Sequence, residues 1–353
     1  MALGEVVGGS RERTGLGRRT WLGLVVGLLA VLLAAETTAR VLEPRLPEPG
    51  DWFSPEAARL VREMDDAAAT GLHSDVLITG SSQAGRDVVP AVVSEELGRD
   101  AVVHNVSLAK GGQALMMQRW LLDVAVPRLR PDTVVWGVSS LDFNPARRSE
   151  SIGRYESVRA TRSGAFGAAD RALARTSALA RNRAALRDLG PMLQVVAGRD
   201  LSDALPDRAP PQAITFTPGR TRSLTGARRE RMLAREAAQT AQGPLRDFRV
   251  GRDEISAFRR TLRSLRDAGI RVHVAIMPVQ RGYVDAHPNG ADDYVAWRRA
   301  VLRAARAEGV PISDHTDAFA SDAFIDFEHL GPSSAREFSR MIAAEIRPGG
   351  TAP

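Results

Sequence analysis

Two short stretches, far apart in the chain, carry the residue types of nucleophilic acyl chemistry. Val76-Leu77-Ile78-Thr79-Gly80-Ser81-Ser82 places a serine just after an apolar run, and Asp326-Phe327-Glu328-His329-Leu330 places a carboxylate and an imidazole three residues apart. A serine hydroxyl is a poor nucleophile until an imidazole takes its proton, and a carboxylate on the other ring nitrogen fixes the tautomer that can do so. Asp-x-x-His on one tight turn supplies both partners. Ser82 is therefore the candidate nucleophile, His329 the candidate base and Asp326 its orienting acid. Taken alone, Gly-Ser-Ser is a weak pattern, because serine is also a preferred helix N-cap.

The surrounding elements have to bring these residues together. Three apolar residues between Asp75 and Gly80 predict a short central strand of a parallel sheet, covered on both faces so that alternation is lost. A serine at the carboxyl end of such a strand stands where open α/β sheets bind ligands. Further strands are predicted at Ala101–Val106, Thr133–Val138, Val272–Met277 and Val310–Ser313. Helices are predicted at Pro55–Ala69 with Ser54 as N-cap, at Pro90–Leu97 before Gly98, and at Gln113–Val124. The apolar stripes Ile255, Phe258, Leu262, Leu265 and Tyr294, Trp297, Val301 mark two more, and Ser333–Ile346 closes the chain.

With these blocks in order, the chain resembles the SGNH, or GDSL-type, hydrolases. Their first block carries the nucleophile near the N-terminus and their last is Asp-x-x-His. Gly80-Ser81-Ser82 resembles the variant in which serine replaces the Asp of Gly-Asp-Ser. Asn105-Val106-Ser107-Leu108-Ala109-Lys110-Gly111-Gly112 resembles the second block, whose glycine gives a backbone N–H to the oxyanion. The resemblance assigns that role to Gly111 or Gly112, beside the N–H of Ser82. The third block, Gly-x-Asn-Asp, is not matched. Gly137-Val138-Ser139-Ser140-Leu141-Asp142-Phe143-Asn144 puts Ser139 in the place of its Asn when aligned on Gly137, and Leu141 there when aligned on Asp142. Ser139 is the candidate third donor, with Ser140 and Asn144 as substitutes. This departure also fits a divergent membrane-anchored, extracytoplasmic branch that resembles the D-alanyl-transfer and alginate O-acetylation proteins of bacterial envelopes. His315, with Asp314 and Asp317, is a rival base but lies upstream of the matching block.

Composition narrows the field. The chain has 353 residues, 44% hydrophobic and 25% charged, with no cysteine, so disulfides and thiolate metal sites are excluded. The six histidines show no metal-ligand spacing, and no metal and no cofactor is expected. Net charge is +6, but the basic residues are nearly all Arg, mixed with Asp and Glu without interleaved aromatics, so no nucleic-acid role is expected.

Arg11, Arg13, Arg18 and Arg19 precede an apolar run from Trp21 to Ala35, which spans only about 22 Å against a bilayer core of about 30 Å. Thr20 and the flank Thr37 to Leu42 must then contribute to a crossing. No clean Ala-x-Ala cleavage site precedes Glu36, so an uncleaved anchor is expected, with a cleaved signal peptide as the alternative. Arg18-Arg19-Thr20-Trp21-Leu22 also loosely resembles a twin-arginine signal. The basic side faces the cytoplasm, which puts the rest of the chain outside the cell membrane.

The expected fold is a flavodoxin-like three-layer α/β/α domain with a five-stranded parallel sheet, interrupted by a helical and loop insertion and tethered by an N-terminal transmembrane helix. Its parts are a basic tail 1–19, anchor 20–42, linker and helix 43–70, first half 71–145, insertion 146–250 over the mouth of the site, second half 251–347 and tail 348–353. The expected function is serine-dependent acyl-ester chemistry on acylated carbohydrate or small esters, by hydrolysis or by transfer to a sugar hydroxyl. Transfer would need a membrane-bound O-acyltransferase partner to deliver the acyl donor. A non-catalytic accessory or binding module with the same fold is the alternative.

Overall fold

The structure, a computed structural model, describes residues 18–47, 54–98, 100–109, 112–147, 165–200 and 226–347. Its strands are β1 (Val76–Thr79), β2 (Val103–Asn105), β3 (Thr133–Val138), β4 (Arg271–Ile276) and β5 (Ile312–Asp314). All pair in parallel in the order β2-β1-β3-β4-β5, with Val76 opposite Val103 and Thr133, Thr133 opposite Arg271, and Val274 opposite Ile312. This is the flavodoxin-like order, and the direction of winding reverses between β1 and β3. The edge strands β2 and β5 are shorter than the apolar runs that predict them, 103–105 against 101–106 and 312–314 against 310–313. Each has a neighbour on one side only to hold its backbone extended.

The helices, in chain order, begin with α1 (Arg18–Leu42), α2 (Pro55–Ala69), α3 (Ser82–Asp87), α4 (Pro90–Leu97) and α5 (Ala114–Arg119), which runs on through a π-helical segment to Leu129. The interruption between the two halves holds α6 (Ala165–Thr176), α7 (Ala178–Arg181), α8 (Arg183–Arg187), α9 (Leu189–Val196) and α10 (Gly226–Gln242). The second half adds α11 (Arg252–Asp267), α12 (Arg281–Asp285), α13 (Ala291–Ala307) and α14 (Pro332–Ile346).

Alternation along the strands builds a separate core on each face of the sheet. Leu77, Val134, Trp136, Val274 and Ile276 point to one side and meet α2, α5, α11 and α13. Val76, Ile78, Val135 and Ala275 point to the other and meet α3, α4 and α14. Trp136 is fully buried and stacks edge-on to Phe258 of α11 with centroids 4.9 Å apart, an arrangement worth about 0.5–1.5 kcal/mol beyond its buried area.

The insertion divides its contacts. Helices α6–α9 pack at the end of α1, whereas α10 packs against α12 and beside the 326–329 loop. Residues 148–164 and 201–225, including Pro206, Pro210, Pro211 and Pro218, lie outside the described residues. Helix α1 is long and apolar enough to cross a membrane, a property that a signal sequence shares.

Candidate functional site

Gly80 makes the turn that presents Ser82. Its φ of +150° suits glycine, and a Cβ there would stand 2.4 Å from the Gly137 carbonyl and 2.7 Å from Ala84 Cβ. The missing side chain lets β1 pass directly into α3 with the first turn of that helix lying on β3. Ser82 is the first residue of α3, half-buried, at the carboxyl end of β1 and on the β1/β3 reversal where doubly wound sheets open a crevice. Among the described residues its hydroxyl has no hydrogen-bond partner.

The opposing loop is held closed at its base by the bridge between Phe324 and Leu330 and by the Ile325 N–H donating to the His329 carbonyl at 3.0 Å. Inside it, Asp326 organises its own turn. Oδ1 accepts the backbone N–H groups of Glu328 (3.0 Å) and His329 (2.8 Å), and both carboxylate oxygens lie 2.9 Å from His329 Nδ1. The carboxylate therefore assigns the proton to Nδ1 and leaves Nε2 as the acceptor. His329 Nε2 is enclosed and has no hydrogen-bond partner.

Helix α3 and this loop are in direct contact. Gln83 donates to the Glu328 carbonyl at 3.0 Å, the Leu330 N–H donates to Asp87 Oδ1 at 3.0 Å, and Gln280, after β4, donates to the Asp326 carbonyl at 2.9 Å. The structure thus brings Ser82, Asp326 and His329 to one corner of the crevice, with Ser82 and His329 not hydrogen-bonded to each other. Free enzymes often hold such pairs loosely and tighten them around substrate.

Several acidic groups surround the imidazole. Burial disfavours charged His329, but the hydrogen bond and charge of Asp326, with Asp87 and Glu328 behind it, outweigh burial and hold its pKa above the usual 6.5. Burial likewise opposes ionisation of Asp326, and the hydrogen bond and charge of His329 bring its pKa below the ordinary carboxylate value. For Asp87, burial outweighs the nearby His329 charge and the Leu330 N–H and raises the pKa to about 8. Burial also raises Glu328 and, on α10, Glu236. Asp326, Glu328, His329, Glu236 and Gln239 line a cavity of about 270 Å³ between α10 and the loop.

Gly111 lies outside the described residues. At Gly112 a Cβ would stand 2.2 Å from Asp142 Oδ1 and 2.5 Å from Ser81 Cβ, so only glycine fits between the turn that carries Ser82 and the end of β3. Ser139 is buried, and its hydroxyl and N–H both lie within bonding distance of Asp142 Oδ2 (3.2 and 2.8 Å) in a capping box. Its hydroxyl is engaged there rather than presented to the crevice. Asp142 is buried against these donors, and burial raises its pKa to about 7.

The other residues singled out are placed elsewhere. His315 Nε2 contacts Ser313 Oγ at 2.9 Å and Glu345 Oε1 at 3.3 Å, under α14 and away from Ser82. Ser140 forms a second serine–histidine pair, its hydroxyl 2.9 Å from His287 Nε2 and 2.8 Å from the Tyr283 hydroxyl. Ser140 is fully buried, and His287 Nδ1 faces the backbone carbonyls of Tyr283 and Val284 rather than a carboxylate. Asn144 donates to the Pro244 carbonyl at 3.0 Å. Among the described residues, one group, His73, Asp75 and Asp132, gathers enough ligand atoms for a metal, at the amino ends of β1 and β3. A cavity of about 610 Å³ also opens at the amino end of the sheet, lined by Arg266, Arg271, His273 and Glu345.

Sequence reasoning missed Gln83, Asp87, Gln280 and Glu328 as site residues. Gln280 had the one available clue, its place after β4 at the carboxyl edge of the sheet.

No family model and no curated protein sequence matches this chain. Among solved structures, it is similar to a carbohydrate acetylesterase family member from Sinorhizobium meliloti, 13% identical with a TM-score of 0.34, over 77% of this chain and 97% of that one. It is also similar to the inhibitor-bound aryl esterase of M. smegmatis, 12% identical with a TM-score of 0.33, over 77% and 98%. Likenesses this slight carry no argument, and the functional reading rests on the residues above.

Proposed function

We propose that this chain is a serine-dependent acyl-ester hydrolase or O-acyltransferase, held by α1 as a single-pass protein of the cell membrane with its α/β domain outside the cytoplasm. The observation that carries the reading is the Asp326–His329 pair. Its carboxylate fixes the Nδ1 proton, its Nε2 is enclosed without a partner, and it stands against the helix that begins with Ser82. Ser82 Oγ attacks the ester carbonyl and its proton passes to His329 Nε2, while Asp326 stabilises the imidazolium. The N–H groups of Ser82 and of Gly111 or Gly112 hold the oxyanion. Collapse breaks the ester C–O bond, the imidazolium returns its proton to the departing alcohol, and the acyl group remains on Ser82. Water then gives hydrolysis, and a sugar hydroxyl gives transfer. For transfer, the acyl donor comes from a membrane-bound O-acyltransferase partner.

The second reading, an accessory or binding module, is favoured by the engagement of Ser139 with Asp142, which withholds from the oxyanion the side-chain donor that the third block was expected to supply. One such donor is worth about 2.7–4 kcal/mol in the transition state. Turnover of p-nitrophenyl acetate and of an O-acetylated glycan by the full-length protein in detergent tests the choice. Activity that disappears in Ser82→Ala supports the enzyme, and no turnover of either ester, with glycan binding retained, favours the module.

A further inference from the structure

Helices α6–α9 are built around the end of α1 where it leaves its apolar run. Glu36 accepts hydrogen bonds from the Ser177 hydroxyl (2.8 Å) and from the N–H groups of Ala178 (2.8 Å) and Leu179 (3.1 Å), so it caps α7. Arg40 donates to the Thr176 carbonyl at 2.7 Å. Arg181 and Asn182 both reach the carboxylate of Glu43, at 2.5 to 3.0 Å. Ala39 and Ala178 are buried, and Leu46 packs beside Ala185 and Met192.

The height of this collar follows from the helix geometry. Starting from Trp21, whose indole suits the cytoplasmic interface, about twenty residues at 1.5 Å each are needed to cross a hydrocarbon core of about 30 Å. The far boundary then falls near Arg40, with Glu36 one turn inside it. Thr37 and Thr38 give their hydroxyls to the carbonyls of Leu33 and Ala34. The helices that satisfy Glu36 therefore lie at the level of the lipid headgroups.

Their surface matches that level. Outside α1, the large apolar side chains exposed among the described residues are Leu72 (37%), Leu173 (55%), Leu189 (58%) and Leu193 (59%), and the last three are on α6 and α9. Helix α9, Leu-Gly-Pro-Met-Leu-Gln-Val-Val, has no charged residue. Its one polar side chain is Gln194; Met192 is buried and Val195 and Val196 pack beside it, which leaves Leu189 and Leu193 as an uncovered apolar face that belongs in a core or in lipid. Arg181 and Arg183 are paired with Glu43 and Asp170, while exposed Arg175 and Arg187 accompany the leucines, as expected of a helix at an anionic interface.

We propose that α6–α9 form a collar lying in the membrane interface on the side of the α/β domain, with Leu173, Leu189 and Leu193 inserted among the acyl chains. The occupant of this surface is lipid, because the patch is continuous with the membrane-crossing helix that it clamps. The proposal rests on α1 crossing the bilayer.

The chain has no cysteine, so single substitutions give one labelling site each. Leu29→Cys in the anchor, Leu189→Cys and Leu193→Cys in the collar and Arg303→Cys on exposed α13 are labelled with an environment-sensitive fluorophore. Each full-length variant is reconstituted into vesicles of phosphatidylcholine and phosphatidylglycerol with or without nitroxide lipids. The expected result is blue-shifted emission and strong quenching at positions 29, 189 and 193, the collar positions most affected by nitroxides near the headgroup, with neither effect at 303. Quenching at 29, with 189 and 193 behaving like 303, overturns the collar and identifies the patch as one that lipid does not cover. Absence of quenching at 29 overturns the anchor and the collar together.

Discussion

Two regions, one under α14 and one at the crevice just before that helix begins, each gather a serine, imidazole and carboxylate, and they differ in whether their hydrogen bonds are complete. Under the body of the helix, His273 and His315 both place Nε2 2.9 Å from Ser313 Oγ, and Ser313 donates to Glu345 at 2.8 Å. Burial opposes the Glu345 carboxylate, but the two histidines prevail and bring its pKa to about 2. At the crevice, by contrast, His329 Nε2, Asp87 Oδ2 and Gln83 Oε1 are enclosed with no partner. Buried polar atoms without partners are costly, so their grouping around one imidazole is what sets the crevice apart as the candidate site. Residue types alone do not separate the two regions, whereas their unmet hydrogen bonds do.

The comparison is broken most severely by removing the nucleophile or base. Ser82→Ala and His329→Ala are each expected to lower ester turnover about 10⁴-fold or more, with the melting temperature nearly unchanged, and the double variant to be no worse than either alone. Asp326→Asn is expected to cost about 10⁴-fold through loss of the productive tautomer. A loss of only a few fold in any of these would place the chemistry elsewhere.

His315→Ala tests the closed region. It is expected to destabilise the fold by about 1–3 kcal/mol in urea denaturation, by leaving buried polar groups unmet, while turnover of the folded protein stays within about twofold of the parent. Loss of turnover at full stability would instead make His315 the base.

Two smaller effects concern pH. Because the pKa of His329 is raised and the neutral imidazole is the base, kcat/KM is expected to rise with pH through a value above 6.5. Glu328→Gln removes a carboxylate that favours the imidazolium, so that limb should move down; an upward shift would reverse the assigned electrostatics. Glu345 is depressed in the folded state, so its contribution to stability is present above the ordinary carboxylate value of 4.5 and is lost as pH falls toward about 2. Glu345→Gln should flatten the acid-unfolding curve in that window, and an unchanged curve would show that other carboxylates dominate it.

Much of the sheet was readable from local pattern. Val76-Leu77-Ile78 between Asp75 and Gly80 marks β1 because a strand covered on both faces has no polar alternation, and Asp326-x-x-His329 is legible because both partners lie on one turn. The shell around them was not. Asp87 meets Leu330, Gln83 meets Glu328, and Ser140 meets His287 only after strands from both halves have paired across the insertion. The attachment of α6–α9 to Glu36, Arg40 and Glu43 was equally hidden, since Arg and Glu in such a stretch look the same whether they face water or another helix.

The most direct test of the central claim is active-site labelling. The full-length protein, its Ser82→Ala and His329→Ala variants and a Ser81→Ala control are treated with a fluorophosphonate probe, and the modified residue is located by peptide mass mapping. One modified serine, Ser82, is expected in the parent and in Ser81→Ala, and no labelling in the other two although both remain folded. Labelling that survives Ser82→Ala, or that maps to Ser81 or Ser140, would contradict it.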